Sequence, residues 1–240
     1  MRGVAIFLCT FVLLSPTVVA QDTPPQKKHI AQFLAPACQQ IAEQAGTFPA
    51  QKISRATQYY TPLFAAGPDG KLRQEDRRSC LSIEGSCIVG DFLYDTAHTS
   101  GIPRSTILHK FGPGSGKGAF NTTNALDPCR TLAADRNFYP IGTVIFMPDM
   151  KDKICPQSGK PVDGCFIVGD VGSAITGQGR FDIFTGECSQ YDKNISTCRD
   201  SANAAFVVPK DARFRVIQRD NPLARQLRQE TDTFIKGDWQ

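Results

Sequence analysis

Nine cysteines in a chain of 240 residues constrain this protein more than any other feature. One of them, Cys9, lies in a stretch that reads as a secretory signal. Met1 and Arg2 give a charged start, Gly3 to Leu14 an apolar run, and Ser15 to Ala20 a small-residue exit of the Val-x-Ala kind. Cleavage after Ala20 leaves Cys38, Cys80, Cys87, Cys129, Cys155, Cys165, Cys188 and Cys198, and an even set in an exported chain reads as up to four disulfides. Zinc is the competing reading, but no Cys-x-x-Cys pair occurs, and His29, His98 and His109 do not stand at finger spacing from the cysteines. Proximity in sequence suggests Cys80/Cys87, Cys155/Cys165 and Cys188/Cys198, with Cys38/Cys129 as the long link, one connectivity among the many that eight cysteines allow. The apolar run is too short and too near the N-terminus for a membrane span, so the mature chain is expected to be soluble and either secreted or periplasmic.

A hydrophobic content of 41% is enough for a globular core and excludes disorder as the whole answer. The net charge of +4 gives no basic footprint for nucleic acid. Twenty Gly and sixteen Pro point to a loop-rich, mainly β chain. Residues 21–50 read as a polar leader followed by a short helix over His29 to Gly46, whose Ile30, Phe33, Leu34, Ala37, Cys38, Ile41, Ala42 and Ala45 share a stripe interrupted only by Pro36. Residues 51–220 carry short β-like runs at Ile53–Tyr60, Ser79–Leu93, Thr143–Met147, Cys165–Val171, Arg180–Phe184, Ala204–Val208 and Phe214–Gln218. A loop-rich insertion is expected over about 64–130, including a long surface loop from Ile102 to Asn124. Residues 221–240 read as a C-terminal helix or tail, with Asn221 as the cap and Pro222 at its first turn.

Two motifs fail on inspection. The run Gly112 to Gly118 has Phe111 and Gly118 where a phosphate-binding loop needs Gly and Ser or Thr. Asn121 and Asn194 sit in glycosylation sequons, which matter only in a eukaryotic source. Arg77, Arg78, Arg213, Arg215 and Arg219 read as solvated faces.

Three aspartates at the edges of strand-like runs carry the chemistry. Asp135 precedes Tyr139-Pro140-Ile141-Gly142-Thr143, Asp170 opens Val171-Gly172-Ser173-Ala174-Ile175, and Asp182 lies within Arg180-Phe181-Asp182-Ile183-Phe184. Alternation puts Phe181 and Ile183 on one face and Arg180, Asp182 and Phe184 on the other. A carboxyl among aromatics is costly to ionise, so burial is expected to raise the Asp182 pKa, as a general acid near neutral pH requires. The plain alternative is that all three are turn and capping residues. A cation site is a further alternative, although the residues lack the EF-hand pattern.

These segments, together with Ala56-Thr57-Gln58-Tyr59-Tyr60-Thr61-Pro62, resemble the three-aspartate (3D) domain of MltA-type lytic transglycosylases and related muralytic proteins. The resemblance covers Ser54 to Pro62 and Leu132 to Gly186. It implies a mainly β fold, a double-psi β-barrel with short flanking helices. The activity it implies is cleavage of the β-1,4 bond between N-acetylmuramic acid and N-acetylglucosamine in peptidoglycan glycan strands. By this match Asp182 stands at the acid/base position, and Asp170 and Asp135 at the two supporting aspartates. Thr57, Tyr59, Tyr60, Gly172, Ser173 and Arg180 are the candidate groove residues. A single acid that protonates the glycosidic oxygen and then takes the 6-hydroxyl proton gives 1,6-anhydro ends. A hydrolytic glycosidase using Asp170 and Asp182 as a pair is one rival reading, and an expansin-like wall-binding protein without catalysis is the other. The expectation is a monomer that needs no metal and no cofactor. Gly172-Ser173 replaces the family's Gly-Gly pair, and one extra residue separates the second and third aspartates.

Overall fold

The computed structural model describes residues 35–106, 111 and 126–237. The signal, the leader, residues 29–34 of the expected first helix, His109, the Gly-rich run 112–118 and the Asn121 sequon lie outside the described residues. Among the described residues twelve strands and three α-helices follow in chain order. The strands are β1 (Gln51–Lys52), β2 (Arg55–Pro62), β3 (Ser86–Val89), β4 (Phe92–Asp95), β5 (Ile102–Pro103), β6 (Thr131–Ala134), β7 (Val144–Phe146), β8 (Cys165–Asp170), β9 (Arg180–Cys188), β10 (Tyr191–Asp192), β11 (Thr197–Cys198) and β12 (Arg213–Ile217). The helices are α1 (Pro36–Glu43), α2 (Ser201–Ala205) and α3 (Pro222–Gly237).

Seven strands form the main sheet in the order β1-β12-β7-β8-β6-β9-β2. The pairs β2/β9 and β6/β8 are parallel, and β6/β9, β7/β8, β7/β12 and β1/β12 are antiparallel. Laid flat, such a sheet would be roughly 29 Å wide at the usual strand spacing. Its edge strands β1 and β2 are nevertheless joined by only Ile53 and Ser54, a link that spans about 11 Å at full stretch. The sheet must therefore curl until its edges are close. Gly179 fastens the join, since its carbonyl accepts from the N–H of Ser54 and of Arg55. At φ +72°, and with Lys52 O at 2.9 Å from where a Cβ would sit, Gly179 has no room for a side chain.

Alternation along the strands fills the inside of the curl. Leu132, Ile145, Phe166, Val168, Phe181, Ile183 and Phe214 are all buried in one cluster, and full burial of side chains this size is worth about 1.5–3 kcal/mol each. The outward-facing Val144, Phe146, Cys165 and Ile217 are covered by α1 and α3, through Ala37, Cys38, Ile41, Ala224 and Leu227. Helix α3 begins as its sequence dictates, with Asn221 Oδ1 accepting from Leu223 N at 2.9 Å. Its Glu230 accepts from Ala37 N at 3.1 Å, placing an acid at the start of α1.

Several expectations are corrected. The run Ser79–Leu93 is not continuous β: Arg78–Ile83 form a π-helical turn, closed by Glu84 N–H donating to Ser79 O, before the β3/β4 hairpin starts. Ala204–Val208 is not a strand, because Asp200 caps α2 by accepting from Asn203 N at 2.8 Å and local capping outweighs β-propensity there. The first helix begins at Pro36, which occupies its first turn and does not interrupt it. The insertion carries a three-stranded sheet, β3-β4-β5, and its Ile102–Pro103 segment is a strand of that sheet rather than loop. Four disulfides are present, with Cys80–Cys87 and Cys188–Cys198 as expected. Cys155/Cys165 and Cys38/Cys129 are replaced by Cys38–Cys165 and Cys129–Cys155. The reason is facing: Cys129 and Cys155 point into the cluster inside the curl, whereas Cys38 and Cys165 belong to the layer under the helices.

Arg130, at the entrance to β6, is 1% exposed and meets Asp163 through two bonds, Nη1 to Oδ1 and Nη2 to Oδ2, both 2.7 Å. It also donates to Cys165 O at 2.5 Å, and Asp163 further accepts from Ala35 N and Cys165 N. Removing one side of a buried ion pair strands the other in low dielectric. Asp163→Ala is expected to lower the unfolding free energy by about 3 kcal/mol or more. Urea denaturation checks this, and an unchanged midpoint would show that the pair contributes nothing.

Candidate active site

A cleft of about 490 Å³ opens between the main sheet and the small β3-β4-β5 lobe. Its sheet side is organised by β6. Ala133 is the register partner of Asp170 on β8 and of Asp182 on β9, so the two carboxylates lie in one row on either side of the smallest chiral side chain. All three residues line the cleft.

Asp182 is held from β2. Thr57, its parallel register partner, donates its hydroxyl to Asp182 Oδ1 at 2.5 Å, and Arg180 Nη1 donates to Thr57 Oγ1 at 2.9 Å. Burial pushes the Asp182 pKa above the ordinary carboxylate range; the Thr57 bond and Arg180 oppose that shift, and the neighbouring Asp170 reinforces it. Behind Asp182 stands an aromatic wall, Tyr59 against Phe184 at 5.1 Å and Phe111 against Phe184 at 5.3 Å. Asp170 is buried, accepts from Tyr59 OH at 3.0 Å and from Val171 N at 2.8 Å. Burial, then the Asp170 charge, raises the Tyr59 pKa well above its usual value, so this phenol remains a donor.

Asp135 occupies a different place. It does not line the cleft; it accepts from Gly177 N at 2.8 Å and Asn137 N at 3.0 Å, and the Gly177 bond is the main cause of its lowered pKa. Together with Tyr139 OH, which accepts from Gly179 N at 2.9 Å, it pins the loop between Asp170 and Asp182. Of the other expected groove residues, Tyr59, Gly172 and Ser173 line the cleft, while Thr57 and Arg180 act one step back on Asp182. Tyr60 lies on the other face of β2, buried against Cys188 and Cys198. The strand alternation separates it from Tyr59. The three aspartates do not gather into one set of ligands among the described residues, and the two sets that do each contain both cysteines of a disulfide.

The lobe contributes groups that the sequence reading passed over. Glu84 lines the cleft from the loop closed by Cys80–Cys87, accepting from Tyr191 OH at 2.8 Å and Tyr60 N at 3.4 Å. Burial raises its pKa to about 7, with Asp182 adding to the shift and the two hydrogen bonds opposing it. Asp95 and His98 also line it; His98 Nδ1 lies 3.0 Å from both Asp95 oxygens, and Asp95 Oδ1 accepts from the N–H groups of Ala97 and His98. The only local signal for Glu84 was its position inside a short Cys-x6-Cys loop.

Residues 130–207 match the family model of the 3D domain. That segment contains β6, β8 and β9, and with them Asp135, Asp170 and Asp182. Among solved structures the chain is similar to Escherichia coli MltA with bound chitohexaose, at 14% identity over 70% of this chain and 72% of that one, TM-score 0.40. Another E. coli MltA crystal structure matches at 14% identity over 76% and 82%, TM-score 0.40. The lytic transglycosylase LtgG of Burkholderia pseudomallei matches at 26% identity over 38% of this chain and 23% of its own, TM-score 0.24. No curated protein matches the chain. No helix among the described residues is long and apolar enough to cross a membrane.

The raised pKa of Glu84 has a consequence for stability. The folded state holds this proton more tightly than the unfolded chain, so the contribution is fully present below the unfolded value of 4.5 and is lost as pH rises through about 7. The loss is of order 3 kcal/mol. Denaturant unfolding followed between those pH values should show a decline that Glu84→Gln flattens; an equal decline in both proteins would contradict the assignment.

Proposed function

We propose that this protein is an exported peptidoglycan lytic transglycosylase that cleaves the bond between N-acetylmuramic acid and N-acetylglucosamine, with Asp182 as general acid and base. The observation that carries the reading is a half-buried Asp182 lining a cleft, bound to Thr57 and sharing a row with Asp170 across Ala133. The 3D-domain match over this segment supports it. The four disulfides support an oxidising compartment and with it the signal sequence ending at Ala20. Residues 51–220 are read as one domain built on a double-psi β-barrel, a reading supported by the curled sheet and its two parallel pairs.

In this mechanism the glycan lies along the cleft with its scissile oxygen at Asp182. The carboxylic acid gives its proton to the glycosidic oxygen as the C1–O4 bond breaks. The resulting carboxylate takes the proton of the muramyl 6-hydroxyl as O6 bonds to C1, so the acid is regenerated and no water is consumed. Asp170, one strand beyond Ala133, stabilises the positive charge that develops at C1, and Tyr59 keeps its carboxylate oriented. Asp135 acts at a distance by fixing the loop that joins the second and third aspartates. Gly172 and Ser173 bring backbone and hydroxyl groups to the cleft, where they can bind sugar hydroxyls.

Product analysis on purified murein sacculi tests the reading. The wild type is expected to release 1,6-anhydromuramyl ends, and Asp182→Asn to lose at least a hundredfold in rate with its fold intact. Reducing ends would instead favour hydrolysis by the Asp170 and Asp182 pair. Binding to sacculi without any new ends would favour a wall-binding protein, and a fully active, folded Asp182→Asn variant would reject the role of that residue.

A further inference from the structure

We propose that Arg55 and Arg180 form an anion subsite beside Asp182. It takes a carboxylate carried on the lactyl arm of the muramyl residue, either the arm's own or that of a peptide attached to it. The placement follows from one ladder. Strands β2 and β9 run parallel, and Arg55/Arg180, Thr57/Asp182 and Tyr59/Phe184 are successive register pairs on alternate residues. Register partners share a face and residues two apart keep to it, so the three pairs stand in line on the face that carries Asp182. The intervening Ala56, Phe181 and Ile183 turn instead to the cluster inside the curl. The arginines thus occupy the row next to the proposed acid, about 6.6 Å along the strands. Tyr59 and Phe184 close the line on the other side.

The backbone that bears the two arginines is fixed. Gly179 O accepts from the N–H of Ser54 at 2.9 Å and of Arg55 at 3.3 Å, which ties the starts of both strands together. Arg180 is half-buried, and its Nη1 donates to Thr57 Oγ1 at 2.9 Å and to Phe181 O at 2.5 Å. Both bonds use the same nitrogen of the fork, so they hold the guanidinium plane without consuming its other donors. Arg55 is exposed at the open end of the row. Among the described residues neither arginine takes part in an ion pair. Burial lowers the Arg180 pKa, and the charge of Arg55 lowers it further while Asp182 opposes both. Two like charges held side by side repel, and a bound carboxylate relieves that repulsion while accepting the paired N–H groups of a guanidinium fork.

The cleft sharpens the choice. Glu84, Asp95, Asp170 and Asp182 all line it, and among the described lining residues none is Lys or Arg. An anionic substituent is therefore disfavoured within the cleft and favoured at its arginine end. This inference rests on the proposed substrate and adds the group that tells its two sugars apart. A muramyl residue with C1 at Asp182 carries the lactyl arm on O3, where N-acetylglucosamine has only a hydroxyl. The arm fixes which sugar occupies that place and which way round the glycan lies. No bond is made or broken at the subsite. Arg180 also positions Asp182 through Thr57, so Arg55 is the residue on which the test turns.

NMR titration of the full chain tests the subsite with ligands that lack the scissile bond. They are N-acetylglucosaminyl-β-1,4-N-acetylmuramic acid, its lactyl methylamide, the same disaccharide bearing a stem dipeptide, and diacetylchitobiose, which has no lactyl arm. The carboxylate-bearing disaccharide is expected to bind about tenfold tighter than diacetylchitobiose. Arg55→Gln is expected to abolish that preference and leave the diacetylchitobiose affinity unchanged, Arg55→Lys to keep part of it, and added salt to weaken it. Preference for the free acid over both the methylamide and diacetylchitobiose supports the subsite with the lactyl carboxylate as its ligand. Preference confined to the dipeptide form supports it with the stem peptide as the source. Equal affinities throughout, or a preference that survives Arg55→Gln, overturn it. An effect of Arg55→Gln exerted only through Asp182 would weaken every ligand alike, and that outcome also overturns it. The titration needs no cleavage: a carboxylate preference in a protein that releases no new ends from sacculi would refute the proposed reaction and leave the subsite standing, and 1,6-anhydro ends without the preference would do the reverse.

Discussion

Strand β6 bonds to β8 on one side and to β9 on the other, and everything chemical in this molecule depends on that double pairing. Asp170 and Asp182 are twelve residues apart in sequence and are brought level only because each takes Ala133 as its register partner. A slip of one residue in either ladder would turn a carboxylate to the opposite face of the sheet. The irregularity between Leu132 and Ala133 in the β6/β8 ladder is what aligns Asp170, since the regular register would set Ala133 opposite Gly169. Arg130 stands immediately before this strand, and its buried pairing with Asp163 ties the entrance of β6 to that of β8. The ion pair and the register thus form one device.

The disulfides divide between two tasks. Cys38–Cys165 and Cys129–Cys155 fasten the main sheet to its helical cover and to the loop before β8, where the curl already supplies a large apolar core. Cys80–Cys87 and Cys188–Cys198 act where the core is small. Among the described residues the lobe's clustered core is small, Leu72, Cys80, Cys87, Val89 and Tyr94, and a sheet of three short strands gains little rigidity from a core of that size. Short covalent loops compensate, and they do so at the wall of the cleft, where a displaced side chain would matter most.

What was legible in the sequence was local. Alternation along 180–184 gave the facing of Phe181, Asp182 and Ile183, and Asn221-Pro222 gave the start of α3, because each rests on the geometry of a single element. What was hidden was relational. The cysteine pairs depend on which side of a curled sheet each thiol faces, and the role of Ala133 depends on two ladders at once. Tyr59 and Tyr60 look equivalent as a motif, yet strand alternation sends one to the cleft and the other to a disulfide. Glu84 lay in a stretch whose β-like composition concealed a helical turn, so nothing local marked it as a cleft residue.

A positively charged chain that gathers Asp170, Asp182, Glu84 and Asp95 around one cleft concentrates charge against its own average. Burial and mutual repulsion both disfavour such a gathering. The hydrogen bonds show how it is sustained. Asp170 leans on Tyr59 and a backbone N–H, Asp95 on two N–H groups and an imidazole, Asp182 on a threonine backed by an arginine. Glu84 has only a phenol and a distant amide, and it is the carboxyl whose ionisation is pushed up to about 7. Burial thus makes Asp182 and Glu84 hold their protons more tightly than a free carboxyl does, while Tyr59 fixes Asp170 beside the proposed acid. That division separates an acid from its stabilising charges in a space where four equivalent carboxyl groups would only repel one another.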